Sequence, residues 1–199
     1  MQPSTVSYPV TFAFDPPEGV ARWRPLVSWL LAIPHLAILY VVQAVAGICT
    51  VIAWFAIVFT GKLPEGLAGF ITMGMRYQTR AMTYVLFLRE EYPPFTFDTT
   101  VADPGDDPRV RLDVTPALAD RNRVTTFFRY FMVLPQVIVL SLVGIAVFAA
   151  VLIAWFAVLF TGKWPAGIQT FVLGFFRWST RVTGYMYLLT DEYPPFSTD

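Results

Sequence analysis

The sequence predicts a mostly α-helical integral membrane protein built from two tandem repeats. Each repeat holds a short strand, a long membrane-embedded helix or hairpin, and an amphipathic interfacial helix. Three observations lead there. First, the charged residues leave two long gaps: after Arg24 the next charged side chain is Lys62, and after Arg129 it is Lys163. Each gap exceeds the roughly 20 apolar residues that cross a hydrocarbon core. Second, Trp54-Phe-Ala-Ile-Val-Phe-Thr-Gly-Lys62 recurs as Trp155-Phe-Ala-Val-Leu-Phe-Thr-Gly-Lys163, an offset of 101 residues. Third, the same offset aligns Pro34 with Pro135, Arg76 with Arg177, Arg80 with Arg181, Tyr84 with Tyr185, and Glu91-Tyr-Pro-Pro-Phe95 with Glu192-Tyr-Pro-Pro-Phe196. So many special residues in register mean duplication. The repeats are placed at 7–95 and 108–196, joined by an acidic Pro/Gly-containing linker at 96–107.

Each repeat opens on alternating apolar residues, Val10, Phe12 and Phe14 or Val110, Leu112 and Val114, a period-two pattern that predicts a strand. The offset there is 100, so one residue was gained afterwards. An arginine-bearing lead-in (Arg22, Arg24; Arg121, Arg123, Arg129) precedes the long apolar run. Two readings of that run stay open. A continuous helix from Pro34 to Phe59 would be about 39 Å long at 1.5 Å per residue, enough to span with tilt, and would set the two copies in opposite orientations. A hairpin of two short legs, bent near Gln43 and Gly144, would keep every Lys and Arg on one side, as the positive-inside rule favours. That same-side arrangement is the expectation carried forward.

Thr60-Gly61-Lys62 and Thr161-Gly162-Lys163 read as helix stops: glycine for a left-handed terminus, lysine for the helix dipole, and proline two residues later. They lack the glycine spacing of a phosphate loop. A second helix follows, about Gly66 to Leu88 and Gly167 to Leu189. Thr72, Arg76, Thr79, Arg80 and Thr83 share one of its faces, with Phe70, Met73, Tyr77, Ala81, Val85 and Leu88 opposite. Copy two sets Arg177, Thr180 and Arg181 against Phe171, Trp178, Val182, Met186 and Leu189. A basic polar face opposite an aromatic one describes a helix lying in the membrane interface. The stiff Tyr-Pro-Pro-Phe closures suit the headgroup zone.

The chemistry on offer is narrow. Mean hydropathy is +0.56, and 14 basic side chains balance 14 acidic ones, so no basic excess points to nucleic acid. Residues Met1 to Asp15 lack the basic and apolar regions of a signal peptide. The lone His35 has Gln136 as its counterpart in copy two, and the lone Cys49 has no second thiol, so neither a metal site nor a disulfide is expected. No serine sits in a nucleophile-elbow context, and no acid lies inside either apolar run. No catalytic, metal or cofactor-binding residue is expected. The candidate lipid or partner contacts are Arg76, Arg80, Arg177 and Arg181, which suit phosphate, together with Tyr84 and Tyr185. The competing reading pairs these arginines with Glu90, Glu91, Asp191 or Glu192. Ala146, Ala150 and Ala154 recur every four residues, a small-residue stripe that permits helix packing.

Pro34-His35, Trp54-Phe55, Thr60-Gly61, Arg76, Arg80, Tyr84 and Tyr92-Pro-Pro-Phe95, repeated in copy two with Gln136 for the histidine, resemble a bacterial membrane family known only as domain of unknown function 4389. The resemblance spans nearly the whole chain and implies a bacterial cell (inner/plasma) membrane; it carries no activity with it. The expected role is therefore a non-enzymatic accessory or scaffold subunit of a larger membrane complex. Its expected partners are membrane lipids and other membrane subunits or further copies of itself. A small channel or transporter at the repeat or oligomer interface, and a lipid-binding or membrane-shaping protein, are the alternatives.

Overall fold

The computed structural model describes residues 8–198. Position 7, where the first repeat begins, and the first seven residues of the segment read as lacking a signal peptide's features lie outside them. The order is β1 (Val10–Phe14), α1 (Arg24–Leu31), α2 (Ile33–Thr60), α3 (Glu65–Val85), β2 (Val110–Val114), α4 (Arg123–Phe127), α5 (Arg129–Thr161) and α6 (Ala166–Met186). The protein is mostly helical, and α2 and α5 are long and apolar enough to cross a membrane.

The apolar runs settle one open question. Each is a continuous helix through Gln43 and Gly144, so the hairpin is corrected. Neither residue supplies a turn: Gln43 donates from Nε2 to the Gly74 carbonyl and to Gln78 Oε1, both at 3.1 Å, which fastens α2 to α3. The helix stops fall where glycine permits them, with Gly61 and Gly162 both at φ 73° and each amide bonded four residues back. The entries differ between copies. In copy one the chain breaks at Ala32, and Pro34 sits in the first turn of α2, where its missing N–H costs nothing. In copy two the break comes at Phe128, which leaves Pro135 inside α5.

Within each repeat the long helix and its successor form an antiparallel pair. Leu39 packs with Tyr77 and Ala81, while Val42 and Ala46 meet Gly74. The buried stripe of α2 is His35, Leu39, Val42, Ala46, Thr50, Ala53 and Ile57, a spacing of three and four that marks one helix face. Its other faces are open: Tyr40 is 79% exposed and Phe59 71%.

The repeats are interlocked. β1 pairs antiparallel with β2, Phe12 opposite Leu112 at the centre of the register. Their alternate residues (Val10, Phe12; Val110, Leu112, Val114) turn inward, as the period-two pattern predicts. Each strand packs on the other repeat's helix. β1 lies on α6, with Phe12 stacked on Phe176 at 5.6 Å, and β2 lies on α3, where Arg76 Nε donates to the Leu112 carbonyl at 3.3 Å. Further contacts are reciprocal under the 101-residue offset. The Val20 amide donates to Gly162 O (2.8 Å) and the Arg121 amide to Gly61 O (3.0 Å). Trp155 Nε1 donates to Pro25 O (2.9 Å) and Trp54 Nε1 to Thr126 O (3.1 Å). A pseudo-two-fold axis therefore passes through the strand pair. Because the end of α5 meets the start of α1, and the end of α2 meets α4, the long helices run antiparallel, with the strands over their midpoints.

Close approaches make a test. A Cβ on Gly69 would run into the Thr99 carbonyl, whereas Gly66 has open space around it. Gly69→Ala is expected to lower the thermal unfolding midpoint measurably in detergent, and Gly66→Ala to leave it within a degree or two; equal behaviour would contradict the packing of the linker on α3.

Candidate functional site

The arginine face of α3 is the first place to look for chemistry, and it is closed. Arg76 and Arg80 are each 3% exposed. The linker folds back over them. Arg76 donates from Nη1 to Thr100 O at 2.7 Å and from Nη2 to Val101 O, with Asp103 3.9 Å from Nε. Arg80 donates to Asp106 through Nη2 at 2.7 Å and Nη1 at 3.2 Å, to Thr96 Oγ1 at 2.9 Å, and lies 3.6 Å from Asp103. Neither guanidinium is free to meet a lipid phosphate, so α3 is not an interfacial helix with an open basic face. Intramolecular pairing is what the geometry shows, with partners other than those considered. Glu90 accepts from the Ala21 amide and, through its carbonyl, from Arg24 Nη2 at 2.8 Å, while Glu91 binds Arg109 Nη2 at 2.8 Å. The linker also buries an ion pair outright, Arg89 Nη1 to Asp107 Oδ1 at 2.7 Å with both side chains at 0% exposure. Sequence reasoning missed Asp103, Asp106 and Asp107; the acidity of 96–107 was the available signal.

In α6, Arg177 and Arg181 are half-buried, and Arg181 Nη1 donates to Ser197 O at 3.4 Å. Tyr84 and Tyr185 are each 1% exposed and serve as seats for lead-in arginines rather than headgroup anchors. Arg24 Nη1 donates to Tyr84 Oη at 2.9 Å. In copy two the residue aligned with Arg24 is Thr125, and Arg129, one turn later, lies over the Tyr185 ring at 4.0 Å. Arg129 and Arg121 both bind Asp191, Arg121 through Nη2 at 2.7 Å. The alanine stripe divides. Ala154 is wholly buried against Val20, Phe87 and Val158, Ala150 is half-buried, and Ala146 faces outward. The packed face of α5 runs instead through Val133, Gln136, Val147, Ala154 and Val158.

His35 is structural in its surroundings. Its ring is fully buried, stacked on Phe95 at 4.2 Å and 9°, with Nδ1 2.7 Å from Tyr77 Oη and Nε2 unpartnered among the described residues. Gln136 occupies the same joint in copy two, accepting from Trp178 Nε1 at 2.8 Å and donating to Pro194 O. Both side chains tie the start of a long helix to its partner helix and to the Tyr-Pro-Pro-Phe closure.

A cavity of about 300 Å³ lies between α3 and α6, near the pseudo-two-fold axis. Equivalent residues line its two sides: Met75 and Phe176, Thr79 and Thr180, Met82 and Thr183. Apolar walls with a few hydroxyls suit a small apolar molecule or part of an acyl chain.

Across both repeats these joints fall at the same or neighbouring positions, although the residues differ. The family described as Domain of unknown function (DUF4389) matches twice, over residues 22–96 and 123–198. The chain belongs to that family. The DUF4389 matches take in the helices, the arginine pairs and both aromatic-proline closures, and they leave out the exchanged strands and most of the linker. No curated protein and no solved structure matches the chain.

Two predictions follow from the joints. His35→Gln, which copies the second repeat, should keep the unfolding midpoint close to wild type. His35→Ala should cost on the order of 1–3 kcal/mol by leaving the Tyr77 hydroxyl buried and unpaired; equal loss in both variants would contradict the shared role. The second concerns acid. Burial alone would push Asp191 and Asp106 up. The hydrogen bonds from Arg121, the Asn122 amide and Arg129 on Asp191, and from Thr96 and Arg80 on Asp106, outweigh it and hold both below the ordinary carboxylate value of 3.8. Their stabilisation is complete above that value and is lost as pH falls through the depressed folded values. Thermal stability should therefore stay level from neutral to about pH 5 and fall below about pH 4, with a shallower acid limb in Asp191→Asn.

Proposed function

We propose that this DUF4389 protein is a non-enzymatic integral membrane protein that acts as an accessory or scaffold subunit of a larger membrane complex. The observation that carries this reading is the outer surface of α2 and α5. Tyr40, Ile48, Ile52 and Phe59 on α2, and Phe131, Leu142, Ile145, Phe148 and Phe160 on α5, are each more than half exposed. Together they make an apolar surface far beyond the few hundred Å² of a typical soluble monomer. The polar groups that might have recognised a solute or phosphate are largely spent on holding the repeats together. Lipid chains and the helices of other subunits, or of further copies of this chain, are the partners that such a surface fits. This reading puts the chain in a bacterial cell membrane, the setting that the motif resemblance implies.

A lipid-binding or membrane-shaping role is the second reading. It is supported by the same apolar faces and by the cavity, and not by Arg76 and Arg80, which are buried under the linker. Purification of the tagged full chain in mild detergent separates the two. A second polypeptide at fixed stoichiometry, retained at the mass measured by light scattering, is expected for a subunit. The chain alone, carrying co-purified lipid, would replace the subunit reading with the second.

A further inference from the structure

The geometry points to a chain that lies in one leaflet, its pseudo-two-fold axis along the membrane normal and α2 and α5 immersed side-on in that leaflet's hydrocarbon. This rests on the membrane reading above and goes further by fixing how the bilayer meets the fold. The strand pair fixes the direction of the axis. All its inward residues face α3 and α6, so the pseudo-two-fold axis stands perpendicular to it and passes next between those helices. The long helices form the layer beyond, antiparallel and crossing the axis near their midpoints.

Suppose α2 and α5 stood upright across the bilayer. The axis would then lie in the membrane plane, and the strand pair would sit at mid-depth. Its outer face carries Arg111 and Asp113, with side chains 63% and 51% exposed, and Asp15 at its edge is 77% exposed. A two-stranded sheet also leaves backbone groups open along its edges, and open edges facing lipid are not tolerated in hydrocarbon. Exposed ions at that depth are equally unfavourable. The upright arrangement would further divide the basic residues. Arg123 lies against Gly61 beside Lys62 at one end, and Arg22 lies against Gly162 beside Lys163 at the other. Equal basic clusters on both faces run against the positive-inside tendency. Length adds to this, because α5 has 33 residues, about 50 Å, against a hydrocarbon core of about 30 Å.

With the axis along the normal these conflicts disappear together. The strands, the acidic linker and both basic clusters meet water on one side, and the exposed apolar faces of α2 and α5 meet lipid. The two helices do not need to pack on one another, and the central cavity between α3 and α6 lies above the acyl chains.

Accessibility from each side of the membrane tests this on the full chain. Starting from Cys49→Ala, the single changes Lys62→Cys, Lys163→Cys, Arg111→Cys and Tyr40→Cys are made at exposed positions and probed with a membrane-impermeant maleimide. Intact cells and inverted vesicles present the two faces. The expected result is that Lys62→Cys, Lys163→Cys and Arg111→Cys label from the same face, at least tenfold faster than from the other, while Tyr40→Cys stays protected from both. Labelling of Lys62→Cys and Lys163→Cys from opposite faces would overturn the one-leaflet arrangement and leave the membrane reading standing. Release of the chain by an alkaline carbonate wash would remove the membrane reading itself, and this arrangement with it.

Discussion

The exchange of strands between the repeats is the constraint on which the rest of this structure depends. A two-stranded ribbon is marginal by itself, and here each strand is also laid on a helix that belongs to the other half of the sequence. Val10 fits against Gly184, where a Cβ would fall 2.7 Å from the valine methyl, and Leu112 sits on Arg76. Removing either strand would uncover the far repeat's helix as well as its partner strand. The helix ends are held in the same reciprocal way, since the open carbonyls of Gly61 and Gly162 each accept from the other repeat's lead-in. One repeat therefore lacks the elements needed to close its own core.

The linker performs a second closure, and electrostatics explains its composition. Burying Arg76, Arg80 and Arg89 is unfavourable unless each finds both charge and hydrogen-bond partners. Asp103, Asp106 and Asp107 arrive on one short segment, and Asp107 Oδ1 also accepts from the Arg109 and Val110 amides to start β2. The segment thus neutralises α3 and sets the register of the strand that covers it. Copy two reaches a comparable balance by another route: Asp191 collects Arg121 and Arg129 in front of Tyr185. The change from Arg24 to Arg129, four residues later on the alignment, follows from moving the helix break, because one helical turn brings the guanidinium back to the same face.

Much of this was legible in the sequence, and the remainder was hidden for identifiable reasons. The offset, the strands and the helix stops are local signals: alternation at Val10 to Phe14, and a glycine at Gly61 and Gly162 that alone tolerates the left-handed turn. The amphipathic pattern of α3 was also real, but periodicity reports that a face is polar and not what covers it. Pairing Arg80 with Asp106 bridges 26 residues through a fold that spacing cannot reveal. The same gap misled the alanine stripe. A four-residue repeat drifts around a helix of 3.6 residues per turn, so Ala146 faces outward while Ala154 is buried. The hairpin failed because Gln43 looked like a weak point in an apolar run, when it is a fastening to Gly74 and Gln78.

The two copies diverge along the long helices, as Tyr40 against Ser141 and Gly47 against Phe148, and also at the polar joints: His35 against Gln136, Tyr77 against Trp178, Arg24 against Arg129, and a linker laid on α3. At each joint the geometry survives the change of chemistry, because a ring stacked on Phe95 and an amide bonded to Pro194 anchor the same helix start. What the copies share is shape: two long helices, each with one packed stripe and broad apolar faces turned outward. The two faces are alike in apolar character and differ in their residues, with Tyr40 on α2 and Phe148 on α5 each exposed where the other copy has Ser141 or Gly47. Apolar outer faces retained in both copies, over joints whose chemistry varies, are what the packing role proposed above rests on.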